Sequence, residues 1–284
     1  MNRKKGKWAE QVLTQQRDDG TWGHEFHSLS FHTKQKPLTT EQALRRLHVL
    51  GFTIDDEPIR KAVSYMTACL CGERKMDNSW EKTHNWPLFT KLMLSAWIRV
   101  FEPSNDLALC FAYRWADVIG KAFACGKYDH RDYVDAYTNQ FAIIPKGARE
   151  VDFASFYHMT LLKGVMSSEI ESMMLDYILS KHNGIYYVYS GFLNTPPSEF
   201  TSKQASRYLA GLEILAEYSL AKDKLGFVVD WLISNRDMNN QWDFGMNAID
   251  NVHFPLADSW RNPDDRLADC TERVEALLYK VRGS

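Results

Sequence analysis

One polar turn, closed each time by tryptophan, is written twice in this chain. Residues 74–80 read RKMDNSW and residues 236–242 read RDMNNQW, so both follow Arg-x-Met-(Asp/Asn)-Asn-x-Trp. Cys69-Leu70 leads into the first and Trp231-Leu232 into the second. A third copy, QVLTQQRDDGTWG, sets Val12, Gln16, Gly20 and Trp22 in the leucine, arginine, asparagine and tryptophan places. Shortened copies are YILSKHNGIY, with Gly184 and Tyr186, and ACGKY, with Gly126 and Tyr128. The closing aromatics fall at 22, 80, 128, 186 and 242, at spacings of 58, 48, 58 and 56. A unit of that length buries its apolar face only by stacking on its neighbours. Two antiparallel helices with their loops fill it.

The intervening segments fit. TTEQALRRLHVLG opens with a Thr39-x-x-Gln42 capping box, carries Leu44, Leu47 and Leu50 on one side, and stops at Gly51. EPIRKAVSYMTACL has Pro58 in its first turn and an Ile59, Val63, Met66, Leu70 stripe. Further helices are expected over PLFTKLMLSAWIRVF, NDLALCFAYRWADVIGKAF, residues 130–141, VDFASFYHMTLLKG, SSEIESMMLDYILSK, SKQASRYLAGLEILAEYSL, KLGFVVDWLISN and DDRLADCTERVEALLYKV. The one strand-like run, YYVYSGF, also reads as an extended loop. Residues 87–101 and 208–220 are apolar nearly all round, whereas 58–70 and 168–180 keep a polar face. The first kind makes an inner helix and the second an outer one. One helix precedes the first closing aromatic and one follows the last, and pairing these two closes a ring. The expectation is a single all-α domain over residues 1–284, an α/α toroid of about five hairpins. An open superhelix of the same hairpins is the alternative.

In these motifs and their spacing the chain resembles the terpenoid cyclase and protein prenyltransferase α/α toroid family. That family's QW motif places an aromatic and an aliphatic residue before Gln and Gly-x-Trp; here Val12, Gln16, Gly20 and Trp22 match, while Gln11 replaces the aromatic. Arg236 and Asn240 replace the glutamine and glycine in the later copy. The resemblance implies a hydrophobic, isoprenoid-type ligand in a central aromatic cavity. The cyclase Asp-x-Asp-Asp acid motif and the prenyltransferase Asp-x-Cys zinc motif are both missing. RLADCT has Cys270 where the resemblance would place histidine. DDRLAD is similar to an Asp-rich magnesium motif, but its spacing is one residue too long. The cofactor is therefore unknown: Mg or Zn has no complete motif, and no metal ligand is assigned.

Gly20 and Gly184 take positive φ freely and asparagine is the usual substitute, so Asn78 and Asn240 are expected in the same left-handed turn. The tryptophan then packs over its helix end. In a toroid the starts of the inner helices ring one mouth of the cavity. Candidate acid–base residues there are Asp152, His158 and Asp269. Candidate substrate-binding residues are His84, Trp86, Phe153, Tyr157, Arg207, Tyr208, Trp260 and Arg261, the arginines suiting a carboxylate or phosphate. Capping, core packing and structural ion pairs are the competing roles. The cluster His24, His27 and His32 lacks the HExxH spacing of a zinc site.

A net charge of −2 supplies no basic face for nucleic acid. No apolar run reaches the roughly 20 residues that span a bilayer, which leaves peripheral membrane contact open. The polar residues after NRKKGK argue against a signal peptide. Five cysteines read as reduced, buried thiols of a cytoplasmic protein. Three function classes stay open: an isoprenoid enzyme or its relic, a carbohydrate-active α/α-barrel with paired carboxylates, and a non-catalytic binding scaffold. The ligand is accordingly small and hydrophobic or sugar-like. Oligomeric state is unreadable.

Overall fold

The computed structural model describes residues 3–27, 38–78 and 82–282. His32 and Trp80 lie outside the described residues. Regular structure among the described residues is all helical. In chain order the helices are α1 (Lys7–Leu13), α2 (Thr40–Val49), α3 (Glu57–Leu70), α4 (Trp86–Phe101), α5 (Asp106–Ala122), α6 (His130–Phe141), α7 (Ala148–Val151), α8 (Phe156–Leu161), α9 (Ser168–Ser180), α10 (Lys203–Leu215), α11 (Ala221–Lys224), α12 (Gly226–Ser234) and α13 (Pro263–Arg282). None is long and apolar enough to cross a membrane. The chain divides into two compact units. Unit 1 holds Met1–Ser79, Glu199–Ser206 and Asn235–Glu275; unit 2 holds Trp80–Ser198, Arg207–Ser234 and Ala276–Ser284.

In unit 1, α2 begins at the expected capping box. Thr39 Oγ1 accepts from the Gln42 amide, and Gln42 Oε1 accepts from the Thr39 amide. Leu44, Leu47 and Leu50 are buried, as are Ile59, Val63 and Met66 on α3. The turn after α1 shows why its residues recur. Gln16 Nε2 donates to the Gly20 carbonyl at 3.1 Å and to the Pro58 carbonyl at 2.8 Å. Trp22 is buried, and its Nε1–H donates at 2.8 Å to the Val12 carbonyl near the end of α1, which also accepts from the Gln15 amide. Gly20 has φ +88°, and a Cβ there would lie 2.5 Å from the Lys61 carbonyl carbon in α3. Gly20→Ala combines a left-handed φ with a clash against helix backbone, so it should cost roughly 3 kcal/mol in urea unfolding. An unchanged midpoint would count against the close approach.

The left-handed backbone recurs at Gly126, Gly184 and Asn240, with φ of 81°, 56° and 63°, but not at Asn78, where it was also expected. The closing aromatic varies more. Trp242 is buried, with its amide bonded to Thr271 Oγ1, but Tyr186 is 47 % exposed. The Tyr186 amide donates to the Ala154 carbonyl, and its own carbonyl accepts from the Phe156 amide. That pairing holds the backbone extended and the ring stays at the surface.

In unit 2, α4 packs against α5 and α8, and α5 against α6. Helix α4 is apolar nearly all round and is buried continuously from Leu92 to Arg99. The continuous helix expected over VDFASFYHMTLLKG is broken: α7 ends at Val151, Asp152 and Ser155 have extended backbone, and α8 starts at Phe156. The same pairing with Tyr186 takes the backbone groups of 154 and 156 that a helix would need. All five cysteines are free, but only Cys270 is buried; Cys71, Cys110 and Cys125 are exposed. The expectation of buried thiols therefore fails for these three, which lie on outward helix faces or in turns.

Candidate functional site

Unit 2 carries an aromatic box around one guanidinium. Gly147, with φ +80°, leads into the four-residue helix α7. A Cβ at Gly147 would lie 2.6 Å from the His84 ring and from the Thr83 carbonyl oxygen, so only glycine fits. Glu150, 1 % exposed, anchors the helix. Its carboxylate accepts from the Asn85 amide at 2.7 Å, Asn85 Nδ2 at 2.6 Å, Tyr137 Oη at 2.8 Å and the Lys146 amide at 3.0 Å. A buried carboxylate is tolerated when donors surround it. This anchoring sets the Arg149 guanidinium 4.8 Å from the Phe89 ring centre, 4.8 Å from Tyr187 and 5.9 Å from Tyr186. Those distances lie within the range of cation–π attraction. Tyr187 has φ +73°, a strained conformation for a bulky residue. Such strain concentrates at functional sites.

Three of the sequence-derived candidates meet at this box. His84 stacks on Phe89 at 4.8 Å, Trp86 lies 5.9 Å from Phe89, and Tyr157 meets Phe89 edge-on at 5.5 Å and Tyr187 at 5.8 Å. Arg149, Phe89, Tyr186 and Tyr187 were not among the candidates. The signal available for them was the glycine and buried-type glutamate bracketing Arg149 in GAREV.

The other candidates scatter. Asp152 pairs with Lys181 Nζ at 2.8 Å and accepts from the Ala154 amide. Lys181 also donates to Tyr177 Oη at 3.2 Å, and its pKa is raised: its bonds and charge pairing with Asp152 and Tyr177 outweigh burial, the largest single influence. Phe153 packs with Phe123, Tyr128, Tyr133 and Tyr177. His158 is wholly buried, with Nδ1 2.8 Å from Ser155 Oγ and the ring 4.4 Å from Trp115. Its Nε2 has no hydrogen-bond partner among the described residues. Burial, only partly opposed by Asp152, pushes its pKa down to about 3. Tyr208 donates to the Leu193 carbonyl at 2.9 Å and packs on Tyr189 and Trp231, while Arg207 is half-buried.

Asp269, Trp260 and Arg261 belong to unit 1. One Asp269 oxygen accepts from the Leu256 amide at 2.8 Å, the Ala257 amide at 2.8 Å and Trp260 Nε1 at 2.6 Å. These bonds make Asp269 a clamp on the 256–260 loop, and Trp260 a partner in it. Arg261 is exposed. His27 pairs with the buried Glu41 at 2.5 Å. Comparison with known protein families, curated proteins and solved structures finds no match to this chain.

Proposed function

We propose that this chain is a divergent α/α toroid protein that binds a hydrophobic, isoprenoid-type ligand with an anionic head at the Arg149 box. Ring closure is supported within unit 1. Arg3, just ahead of α1, donates from Nη1 to Glu272 of α13 at 2.8 Å and lies 3.8 Å from Asp269, as pairing of the first and last helices requires. The observation that carries the ligand reading is the guanidinium between aromatic rings. A guanidinium held within about 6 Å of aromatic faces carries a fork of N–H donors that suits a phosphate or carboxylate. The half-exposed ring of Tyr186, 5.9 Å from the guanidinium, offers contact to a hydrocarbon chain, and Val151 is exposed two residues along from Arg149. The reading is of a binding protein rather than a catalyst. Asp152, His158 and Asp269 are each tied to an ion pair, a sealed core position or a loop clamp.

Titration of tryptophan fluorescence with farnesyl diphosphate, farnesol and maltohexaose tests this. The diphosphate should bind, and Arg149→Met should weaken it roughly ten-fold or more, the usual effect of losing a charged anchor. Farnesol should bind more weakly and lose little on the substitution. No response to either isoprenoid, or selective binding of the sugar, overturns the assignment.

A further inference from the structure

Helix α5 has two unlike sides. Phe111, Trp115, Val118 and Ala122 are buried on the side that faces the core of unit 2. The other side runs Asp106, Leu107, Cys110, Tyr113, Arg114, Asp117 and Lys121, all exposed. Successive steps of three and four residues keep that stripe on one face. Leu107 is 46 % exposed and Tyr113 58 %. Polar residues would suit a helix face turned to water better than these two do. Gly120 lies on the same stripe. A Cβ there would meet nothing within 4 Å, so packing inside the chain does not require glycine. Glycine inside a helix weakens it, yet here it opens a notch in the stripe where a side chain from outside can seat.

The stripe is complementary to itself. Laid antiparallel on a second copy, about a two-fold axis between Tyr113 and Arg114, it meets itself residue by residue. Asp106 faces Lys121, Leu107 faces the notch at Gly120, Cys110 faces Asp117, and Tyr113 faces Arg114. That gives an ion pair at each end, an apolar side chain over each glycine, a thiol donor to each carboxylate and two cation–π pairs at the centre. A parallel pairing would instead set Asp106 on Asp106 and Lys121 on Lys121, like charge on like. Both cations are already positioned. Arg114 Nη2 donates to the Gln140 carbonyl at 2.9 Å, and its guanidinium carbon lies 5.0 Å from the Phe141 ring centre. Lys121 Nζ lies 2.7 Å from Asp117 Oδ2 within the same helix, and an ammonium has further donors for a second carboxylate. Side chains held in this way lose less entropy on association. The alternating signs do not suit an anionic membrane or nucleic acid, which would call for a face of one sign. We infer that the exposed face of α5 is a self-association surface, on which two copies of this chain pair antiparallel as a two-fold dimer.

One helix of 17 residues against its copy buries less than a standard interface, so the dimer is a weak one. Sedimentation equilibrium of the whole native protein from about 5 to 500 μM should show monomer–dimer exchange with a dissociation constant of roughly tens of micromolar. A monomer at every concentration overturns the proposal, and this needs no variant. Asp106→Lys and Lys121→Glu should each weaken the dimer roughly five-fold or more, by setting like charges opposite each other. Mixed in equal amounts, the two variants should pair with each other at near-native strength, because both ion pairs are then rebuilt across the axis. Single variants that dimerise like the native protein, or a mixture that pairs no better than either alone, overturn the antiparallel register. Gly120→Trp fills the notch and should abolish the dimer while far-ultraviolet circular dichroism stays native. A native-strength dimer in that variant places the contact elsewhere and overturns the assignment to α5.

Discussion

Acidification from pH 7.5 to pH 4 should strip about 3 kcal/mol from the folded state through His158 alone. The folded pKa, about 3, lies below the ordinary 6.5, so the unfolded chain binds the proton first. The stabilisation is fully present above about pH 6.5 and drains as pH falls toward 3. No discount for solvent applies, because the ring is wholly buried. The cost has a visible cause: Nδ1 faces Ser155, Nε2 faces no acceptor among the described residues, and Trp115 covers the ring. His253 adds to the same slope, since its folded pKa is also lowered. Urea midpoints for the native protein and His158→Gln at pH 7.5, 5.5 and 4.5 isolate the effect. The variant should be less stable at pH 7.5 yet lose much less on acidification. Parallel slopes in the two proteins would refute the assignment. Chemistry at His158 would predict another result: lost turnover with an unchanged slope.

Asp269→Ala should be the most damaging single substitution in unit 1, at about 4 kcal/mol. It orphans two backbone amides and an indole N–H, all buried, and removes a carboxylate that stands 3.8 Å from Arg3. In a chain of this size the melting temperature should fall by roughly 10 °C. Asp269→Asn keeps one acceptor oxygen and should recover part of the loss. The two variants separate a clamp from a general acid. A general acid would be silenced by the amide while the melting temperature stayed near native.

Much of the helix pattern was legible because it rests on local rules. The Thr39–Gln42 capping box, Pro58 in the first turn of α3 and the left-handed turn at Gly20 and Asn240 all depend on neighbours within a few residues. The break between α7 and α8 was not legible. It depends on Tyr186 pairing with Ala154 and Phe156 some 30 residues away, and no local propensity encodes that. The site divides the same way. His84, Trp86 and Tyr157 were reachable as aromatic and polar residues at helix starts, and they do gather at Phe89. Arg149 was missed because its role comes from the fold of Gly147 against His84 and from the burial of Glu150. Asp269 looked like chemistry in sequence because an aspartate in a helix says nothing about which loop amides will reach it.

The way the two units divide the chain has a consequence for synthesis. Unit 1 draws on residues at both ends of the sequence, from its N-terminal stretch to Glu275, and unit 2 is completed only by Ala276–Ser284. Neither can reach its full set of contacts while the ribosome still holds the last part of α13. The earlier helices of both units therefore emerge with apolar faces uncovered until α13 is made. Truncation ahead of Asp269 would remove Arg273 and the Arg3 partners on α13 together, so it strikes the packing of unit 1 at several points and not one helix alone.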